Sequence, residues 1–227
     1  MSDAIPAMPP HLLDVARAAR GFMPADEGDL LFAEATRRAS AGPLLEVGTW
    51  CGTSAVYLGA AVRLARERGA PDAVAFTVDH HRGSEENQPG WEYHDPTLVD
   101  PHAGRIDTLP FFRRTLTDAG LEEEVVAIVG RAPTVARHWR TPLSLLFVDG
   151  GHTDEHVTND YLGFGRWIAA GGSLVFHDVF ERPEDGGQAP WRCYRRALDS
   201  KVWEETRHLG SMRVLRRIAG DAGDPLT

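Results

Sequence analysis

Short apolar runs alternate with longer amphipathic stretches along most of the chain. The runs are continuously hydrophobic, and glycine, proline or acidic residues bound them. Such runs are typical of strands that are buried on both faces of a parallel sheet, with helices as the connections. The predicted strands of this kind are residues 43–48, 73–79, 124–129, 143–149 and 172–178.

The stretches between and before these strands have helical periodicity. The predicted helices are residues 11–20, 26–40, 52–68, 106–119, 131–140, 154–169 and 189–200. Two final strands, 202–208 and 212–218, are separated by only three residues, which suits an antiparallel hairpin. We therefore predict an α/β fold in a single domain over residues 1–227, with a doubly wound, mostly parallel seven-stranded sheet that ends in an antiparallel hairpin.

One long segment, residues 80–104, has no clear periodicity. Loops of this length inside a compact domain are usually functional or disordered. Trp91 and Tyr93 argue against disorder, because aromatic side chains in a loop usually cover something. We interpret the segment, called the flap below, as the cover of an active site, with a dimer contact as the alternative. A second loop, residues 181–190, follows the fifth strand and could close the opposite side.

Composition narrows the possible partners and location. The chain of 227 residues has a formal net charge of -9 and no long Lys/Arg run, which argues against general binding to nucleic acid or membrane surfaces. Cys51 and Cys193 are the two cysteines, too few for a disulfide framework or a cysteine-rich zinc site. The first ten residues lack a signal-peptide pattern, and no apolar run is long enough to span a membrane. We expect a cytoplasmic homodimer with a small-molecule or oligosaccharide partner.

The first predicted strand runs into a glycine-containing turn, Gly48 to Ser54. Ligands of open α/β sheets bind beyond the carboxyl ends of the strands. Gly48 permits a sharp turn and close approach of a ligand, and Gly52 opens the next helix, where free N–H groups favour an anionic group. The Gly-x-x-x-Gly spacing differs from that of dinucleotide-binding folds.

The stretch LLEVGTWCGTSAVYLGAA resembles the first motif of class I S-adenosylmethionine-dependent methyltransferases, which have a Rossmann-like α/β fold. It is most similar to the branch that includes catechol, sugar and macrolide O-methyltransferases. The resemblance implies S-adenosylmethionine as the cofactor. It places Gly48, Trp50 and Ser54 beside the methionine part and Glu46 near the ammonium group.

Two further strand ends fit the same resemblance. The second strand ends at Asp79, where an acid can accept both ribose hydroxyls, although a surface carboxylate is the alternative. The third strand ends in Gly130-Arg131-Ala132, where the family lays its adenine against the backbone. A glycine after a strand is common, so this second site is the less specific of the two.

Polar residues follow the fourth and fifth strands. In the metal-dependent O-methyltransferases that the sequence resembles, an acid matching Asp149 and a pair matching His177 and Asp178 bind Mg²⁺. A base matching His152 accepts the substrate proton. A hard dication acidifies a bound hydroxyl, and the ordinary pKa of histidine, about 6.5, suits a general base. Imidazole is a poor ligand for Mg²⁺, so His177 either ligates a softer ion, lies behind the ligands, or acts without metal.

The flap combines hydrogen-bonding side chains with aromatic faces, a combination that carbohydrate sites use. Its polar residues are Glu85, Glu86, Asn87 and Gln88, and we predict that Trp91 and Tyr93 contact the substrate. The chain length, Ala/Arg-rich composition and flap are similar to sugar 1-O-methyltransferases of methylmannose polysaccharide synthesis, which implies a methylated mannoside as acceptor. A catechol or phenol acceptor is the alternative.

Two other classes of function compete with this interpretation. Residues 152–156 match H-x-x-E-H, the inverted zincin signature. A zinc hydrolase would need His152 and His156 on one helix face, whereas Thr153 resembles an N-cap that leaves His152 outside the helix. A non-catalytic nucleotide-binding module is the other alternative. It would not explain why so many polar residues converge at one sheet edge.

Overall fold

The computed structural model describes residues 7–226 and contains a seven-stranded sheet and a separate two-stranded ribbon. The strands are β1 Leu44–Val47, β2 Ala75–Asp79, β3 Val99–Asp100, β4 Arg105–Ile106, β5 Val125–Val129, β6 Leu143–Val148, β7 Ile168–Phe176, β8 Trp203–Leu209 and β9 Met212–Arg217. The α-helices are α1 Pro10–Ala18, α2 Ala25–Arg38, α3 Thr53–Glu67, α4 Leu109–Ala119, α5 Ala132–His138, α6 Asp154–Phe164 and α7 Ala189–Asp199.

The strand order in the large sheet is β5-β2-β1-β6-β7-β9-β8. The five strands from β5 to β7 are parallel, and β9 runs antiparallel to both β7 and β8. This arrangement confirms the predicted doubly wound sheet and its terminal hairpin. The chain builds outward from β1 to β5 and then returns to β6 on the other side of β1. The crevice expected at such a reversal lies at the carboxyl ends of β1 and β6.

Helices cover both faces of the sheet, as the continuous hydrophobicity of the strands requires. Neighbouring residues of β1 and β6 point to opposite faces, so Leu44 and Leu145 pack with α1–α4, whereas Leu45 and Leu146 pack with α5–α7. All four of these leucines are fully buried. The packing holds the strand ends, and therefore the polar residues that follow them, in fixed relative positions.

The structure differs from the prediction around β7, which begins at Ile168 rather than at residue 172. The preceding helix ends at Phe164 instead of 169, because residues 165–167 form a short 3₁₀ turn. Pairing between β6 and β7 is interrupted by a register shift, and Gly171 there has φ of +77°. A bulge with glycine in the left-handed region explains why a strand occupies a stretch that looked helical.

Among residues 7–226, no helix has both the length and the hydrophobicity that crossing a membrane requires. The prediction of no signal peptide concerned the first ten residues. Of these, residues 1–6 lie outside the described residues. The homodimer and the cytoplasmic location stay predictions.

Candidate functional site

A cleft of about 630 Å³ opens at the carboxyl ends of the parallel strands. The turns after β1, β2, β5, β6 and β7 all contribute to its walls. Its lining includes seven of the predicted cofactor-site residues, which follow β1, β2 and β5: Gly48, Trp50, Ser54, Asp79, Gly130, Arg131 and Ala132. The structure therefore brings the motifs that were read separately from the sequence into one site.

The turn after β1 is shaped by Gly48 and Asp79. Gly48 has φ of +85°, and a Cβ added there would overlap the backbone of Asp149 and Gly150. Trp50 also has positive φ, +50°, which is uncommon for an aromatic residue. The Asp79 carboxylate stabilises this conformation, because one of its oxygens accepts the backbone N–H groups of Thr49 and Trp50, each at 3.0 Å.

In the predicted ribose contact, the ribose hydroxyls would share the Asp79 carboxylate with backbone N–H groups. Its second oxygen accepts the backbone N–H of His81 at 2.6 Å. An ionised carboxylate offers about four lone-pair sites, so three backbone bonds leave room for about one more. Asp79 thus stabilises the turn in the structure, and binding of the ribose by Asp79 stays a prediction.

Two buried carboxyl groups lie on this side of the cleft, and within residues 7–226 the Glu46 carboxyl has no hydrogen-bond partner. Glu46 is fully buried beneath the β1 turn, outside the cleft lining, and burial raises its pKa to about 8. Asp160 of α6 lines the cleft although its exposed fraction is only 4%, and burial raises its pKa to about 7. Asp160 lies against Gly150, where an added Cβ would come within 2.9 Å of its Oδ2. Both groups are therefore disposed to accept a hydrogen-bond donor or a positive charge.

His152 lies at the opposite side of the cleft between two carboxylates. Its Nε2 is 3.2 Å from Asp178 Oδ2, and its Nδ1 is 3.1 Å from Glu86 Oε2 in the flap. Burial alone lowers the pKa of His152, but the hydrogen bonds to Asp178 and Glu86 outweigh burial and raise the pKa to about 10. In this arrangement the predicted base is protonated at neutral pH.

His177 is placed differently from the sequence prediction. Its Nδ1 is 2.9 Å from Asp149 Oδ1, and its Nε2 is 2.7 Å from Glu27 Oε2. The side chain is only 4% exposed, and both ring nitrogens are occupied by carboxylates. In this arrangement the ring lies behind Asp149, and both of its nitrogens are in contact with carboxylates. Ligation of a metal by His177 stays a prediction.

Asp149, His152 and Asp178 form the group of side chains that could hold a metal ion within residues 7–226. One ligand atom of each lies within 4.8 Å of the others. This group contains His152 where the predicted set contains His177. Two carboxylates and one imidazole suit Mg²⁺ less well than ions such as Mn²⁺ or Zn²⁺, which accept nitrogen more readily.

The geometry argues against the zinc-hydrolase motif. His152 precedes α6, whose N-cap is Thr153, as predicted. The Thr153 hydroxyl accepts the backbone N–H of His156 at 3.2 Å, and its Oγ lies 2.9 Å from His156 Nδ1. The two histidines therefore do not converge on one position, and His156 is not part of the candidate metal group.

The flap covers the cleft, but only one of its two aromatic residues lines it. Tyr93 lines the cleft and meets Phe22 edge to face, with ring centroids 5.4 Å apart. Trp91 is 60% exposed and lies outside the lining, and its contact with the substrate stays a prediction. Asn87 and Gln88 hydrogen bond within the flap: Asn87 Oδ1 accepts from Ser84 N–H, and Gln88 Nε2 donates to the Ser84 carbonyl, both at 2.8 Å. The Asn87 and Gln88 side chains therefore stabilise the conformation of the flap.

Two contributions to the site were missed by sequence reasoning, and both come from the N-terminal part of the chain. Residues 20–23, including Phe22, line the cleft between α1 and α2. The other is Glu27, which lies in the acidic first turn of α2. A signal was present, because Glu27 lies four residues before Leu31 and shares its buried helix face. A carboxylate on a buried face usually has a specific partner.

Comparisons with known proteins agree with this geometry. A family model described as a methyltransferase domain matches residues 45–179, more than half of the chain. The O-methyltransferase TomG from Streptomyces achromogenes, in complex with SAM, is 19% identical with a TM-score of 0.62, over 92% of this chain and 90% of that one. The SAH-bound Podospora anserina methyltransferase PaMTH1 is 15% identical with a TM-score of 0.62, over 93% and 89%.

An O-methyltransferase from Bacillus cereus, in complex with SAH, is 16% identical with a TM-score of 0.60, over 91% of this chain and 88% of that one. At such identities the likeness establishes the Rossmann-like fold, and the family model carries the relationship. The chain belongs to the methyltransferase-domain family.

Proposed function

We propose that the protein is an S-adenosylmethionine-dependent O-methyltransferase that uses a divalent cation held by Asp149 and Asp178. One observation carries the proposal: a single cleft joins the glycine turn after β1 to the Asp149, His152 and Asp178 group after β6 and β7. The first part suits a donor molecule and the second suits activation of a hydroxyl. Solved O-methyltransferases of this fold with bound SAM or SAH support the choice of cofactor.

The residues present fit the cofactor. Gly48 lets the turn after β1 pack against the backbone of Asp149 and Gly150, where any side chain would collide, so both turns line one cleft. Asp160 is a buried carboxyl group that lines the cleft and whose pKa is raised by burial, which suits a ligand that carries positive charge and hydrogen-bond donors. The sulfonium of S-adenosylmethionine supplies an activated methyl group. The protein's task is then mainly to align donor and acceptor.

The residues at the ends of β6 and β7 fit a cation. A divalent cation held there would lower the pKa of a coordinated hydroxyl. His152 could accept the proton only after its own pKa falls. That requires Asp178 to be shared with the cation and the flap residue Glu86 to move away, because these two carboxylates raise the pKa. We propose that the His152 imidazolium releases its proton to solvent when the site is filled and that the neutral imidazole then serves as the base.

The acceptor is a hydroxyl on a ring-shaped small molecule. Phe22 and Tyr93 offer apolar ring faces beside the cleft, which supports a sugar such as a methylated mannoside as well as a phenol. A catechol or phenol is the second candidate. The observation that favours it is that Asn87 and Gln88, which suggested carbohydrate binding, hydrogen bond inside the flap.

Calorimetry with S-adenosylhomocysteine and with NAD tests the cofactor. We expect one S-adenosylhomocysteine per chain and no signal from NAD, because the glycine spacing is not that of dinucleotide folds. Micromolar NAD binding without a signal from S-adenosylhomocysteine would contradict the proposal.

Turnover assays test the cation and the acceptor. Production of S-adenosylhomocysteine should stop in excess chelator and return with Mg²⁺ or Mn²⁺. Methylated mannosides and a catechol are compared side by side. Full turnover in chelator would exclude the cation, and preference for the catechol would exclude the sugar while leaving methyl transfer in place.

A further inference from the structure

Glu27 links the N-terminal helix α2 to the polar edge of the cleft. The side chain is only 2% exposed, and its Oε2 is 2.7 Å from His177 Nε2. Its carboxylate also accepts the backbone N–H of Ser211 and, at 3.2 Å, the Ser211 hydroxyl. A buried carboxylate is tolerated only when such partners compensate for lost hydration. Glu27 therefore joins α2, the end of β7 and the β8–β9 turn.

The β8–β9 turn is shaped around this carboxylate. Gly210 has φ of +52°, and a Cβ added there would collide with Glu27. The turn thus requires glycine for two reasons, conformation and space. The position of Glu27 is held from the hairpin side by Gly210 and Ser211, so the carboxylate presents a fixed acceptor to His177.

His177 transmits this fixed position to the cleft. Its Nδ1 contacts Asp149 Oδ1 at 2.9 Å while Nε2 faces Glu27, so the ring cannot turn without losing one contact. Asp149 lines the cleft and belongs to the candidate cation group. Partners that orient metal-binding side chains from behind strongly affect both affinity and activity in other metalloproteins.

We propose that Glu27 is a positioning residue that, through His177, holds Asp149 in the orientation needed at the cleft. The inference rests on the proposed function, in which Asp149 binds the cation. It assigns to α2, far from the strand ends in sequence, a part in arranging the site.

Glu34 provides a matched control on the same helix. It lies two turns beyond Glu27, is 3% exposed, and also contacts a buried serine, with Ser173 Oγ donating to its Oε1 at 2.5 Å. Its other partners are Arg37 and Arg38 rather than a histidine, and it does not line the cleft. Glu27 and Glu34 therefore differ chiefly in their side-chain partners.

The first experiment measures binding of Mn²⁺ and of S-adenosylhomocysteine by calorimetry. We expect Glu27→Ala to weaken Mn²⁺ binding by roughly 10- to 100-fold, the usual effect of losing such a partner. S-adenosylhomocysteine affinity should stay unchanged. Glu27→Gln keeps an oxygen that can accept from His177 and should recover most of the loss. Glu34→Ala should lower the melting temperature without changing Mn²⁺ affinity.

Equal losses of Mn²⁺ affinity in the two alanine variants, or none in Glu27→Ala, would overturn the proposal. If Glu27→Ala does not fold, Glu27→Asp replaces it. The shorter side chain keeps the charge but withdraws from His177, and the same loss is expected.

A second measurement needs no cation. With ¹⁵N-labelled histidine, the His177 Nδ1 resonance is assigned by its absence in His177→Gln. Glu27→Ala should move it, because the bond to Asp149 changes, and Glu34→Ala should not. An unmoved resonance would overturn the positioning role. A moved resonance in a protein that binds no Mn²⁺ would contradict the proposed cation and leave the positioning role supported.

Discussion

The carboxyl groups on the two sides of the cleft have pKa values shifted in opposite directions. On the side of the β1 turn, burial raises the pKa values of Glu46 and Asp160 to about 8 and about 7. On the side of β7, Glu86 and Asp178 each contact His152. The His152 hydrogen bond lowers the pKa of Glu86. Burial raises the pKa of Asp178, but hydrogen bonds from His152 and His177 outweigh it and lower that pKa.

This contrast indicates that the two sides of the cleft would bind a ligand in different ways. On the first side, burial alone accounts for the raised pKa of Asp160, which lines the cleft, so a cationic ligand with donors gains an interaction there without displacing protein groups. The second half is neutralised by its own histidines. A ligand there must exchange partners with the protein, and the side chains that move are the ones available for proton transfer.

The largest expected effect is a loss of turnover without a loss of cofactor affinity, which distinguishes the two sides of the cleft. His152→Ala should lower turnover by roughly 10²- to 10⁴-fold, the usual contribution of a positioned base, while S-adenosylhomocysteine affinity stays unchanged. His102→Ala, an exposed histidine near the β3–β4 ribbon, is the control that should retain turnover. Turnover is followed by S-adenosylhomocysteine formation, and a fully active His152→Ala would contradict the base assignment.

The next effect concerns stability on the donor side. The pKa of Asp160 is higher in the folded protein than in the unfolded chain, so the folded state binds the extra proton. Stability from this group is full below about pH 4 and is lost as pH rises towards about 7, with an upper bound of about 4 kcal/mol. Asp160→Asn should therefore gain stability over the wild type at pH 8 and little at pH 4.

Urea unfolding at the two pH values measures this difference. Asp118→Asn, at an exposed position of α4, controls for the loss of a charge. Equal pH dependence in the wild type and Asp160→Asn would show that the carboxyl is compensated in solution.

A smaller effect is expected at the turn after β1. Asp79→Ala should weaken S-adenosylhomocysteine binding by about 1.5–3 kcal/mol, as for hydrogen bonds to a charged group. Part of the loss would come from the turn itself, which Asp79 holds through Thr49 and Trp50. Calorimetry compares it with Asp72→Ala, an exposed acid before β2. Unchanged affinity in a folded Asp79→Ala would show that neither bracing nor ribose binding matters.

The smallest effect lies at the rim. Tyr93→Ala should raise the KM for a ring-shaped acceptor by up to roughly 10-fold with little change in kcat, because aromatic packing supports ground state and transition state alike. Trp91→Ala should change neither, since Trp91 lies outside the cleft lining. A larger effect of Trp91 than of Tyr93 in steady-state kinetics would mean that the flap closes differently over the acceptor.

The parts of the molecule that were predictable from sequence are those with local signals. Continuous apolar runs identified the strands of the parallel sheet, and the glycines near Gly48 marked the turn that lines the cleft. Partner choice is not local. His177 and Asp178 are adjacent in sequence, yet one is turned inward by Glu27 and the other faces His152, and no spacing rule distinguishes them. Trp91 and Tyr93 diverge for the same reason.

The Glu27 contact also limits how this protein can be recombined with its relatives. The family match spans residues 45–179, whereas Glu27 and Gly210-Ser211 lie on either side of it. A chimera that grafts the matched segment onto foreign flanks would bury an imidazole with one nitrogen unpaired, at a cost of about 1–3 kcal/mol. Libraries should therefore inherit α2, the end of β7 and the β8–β9 hairpin as one block.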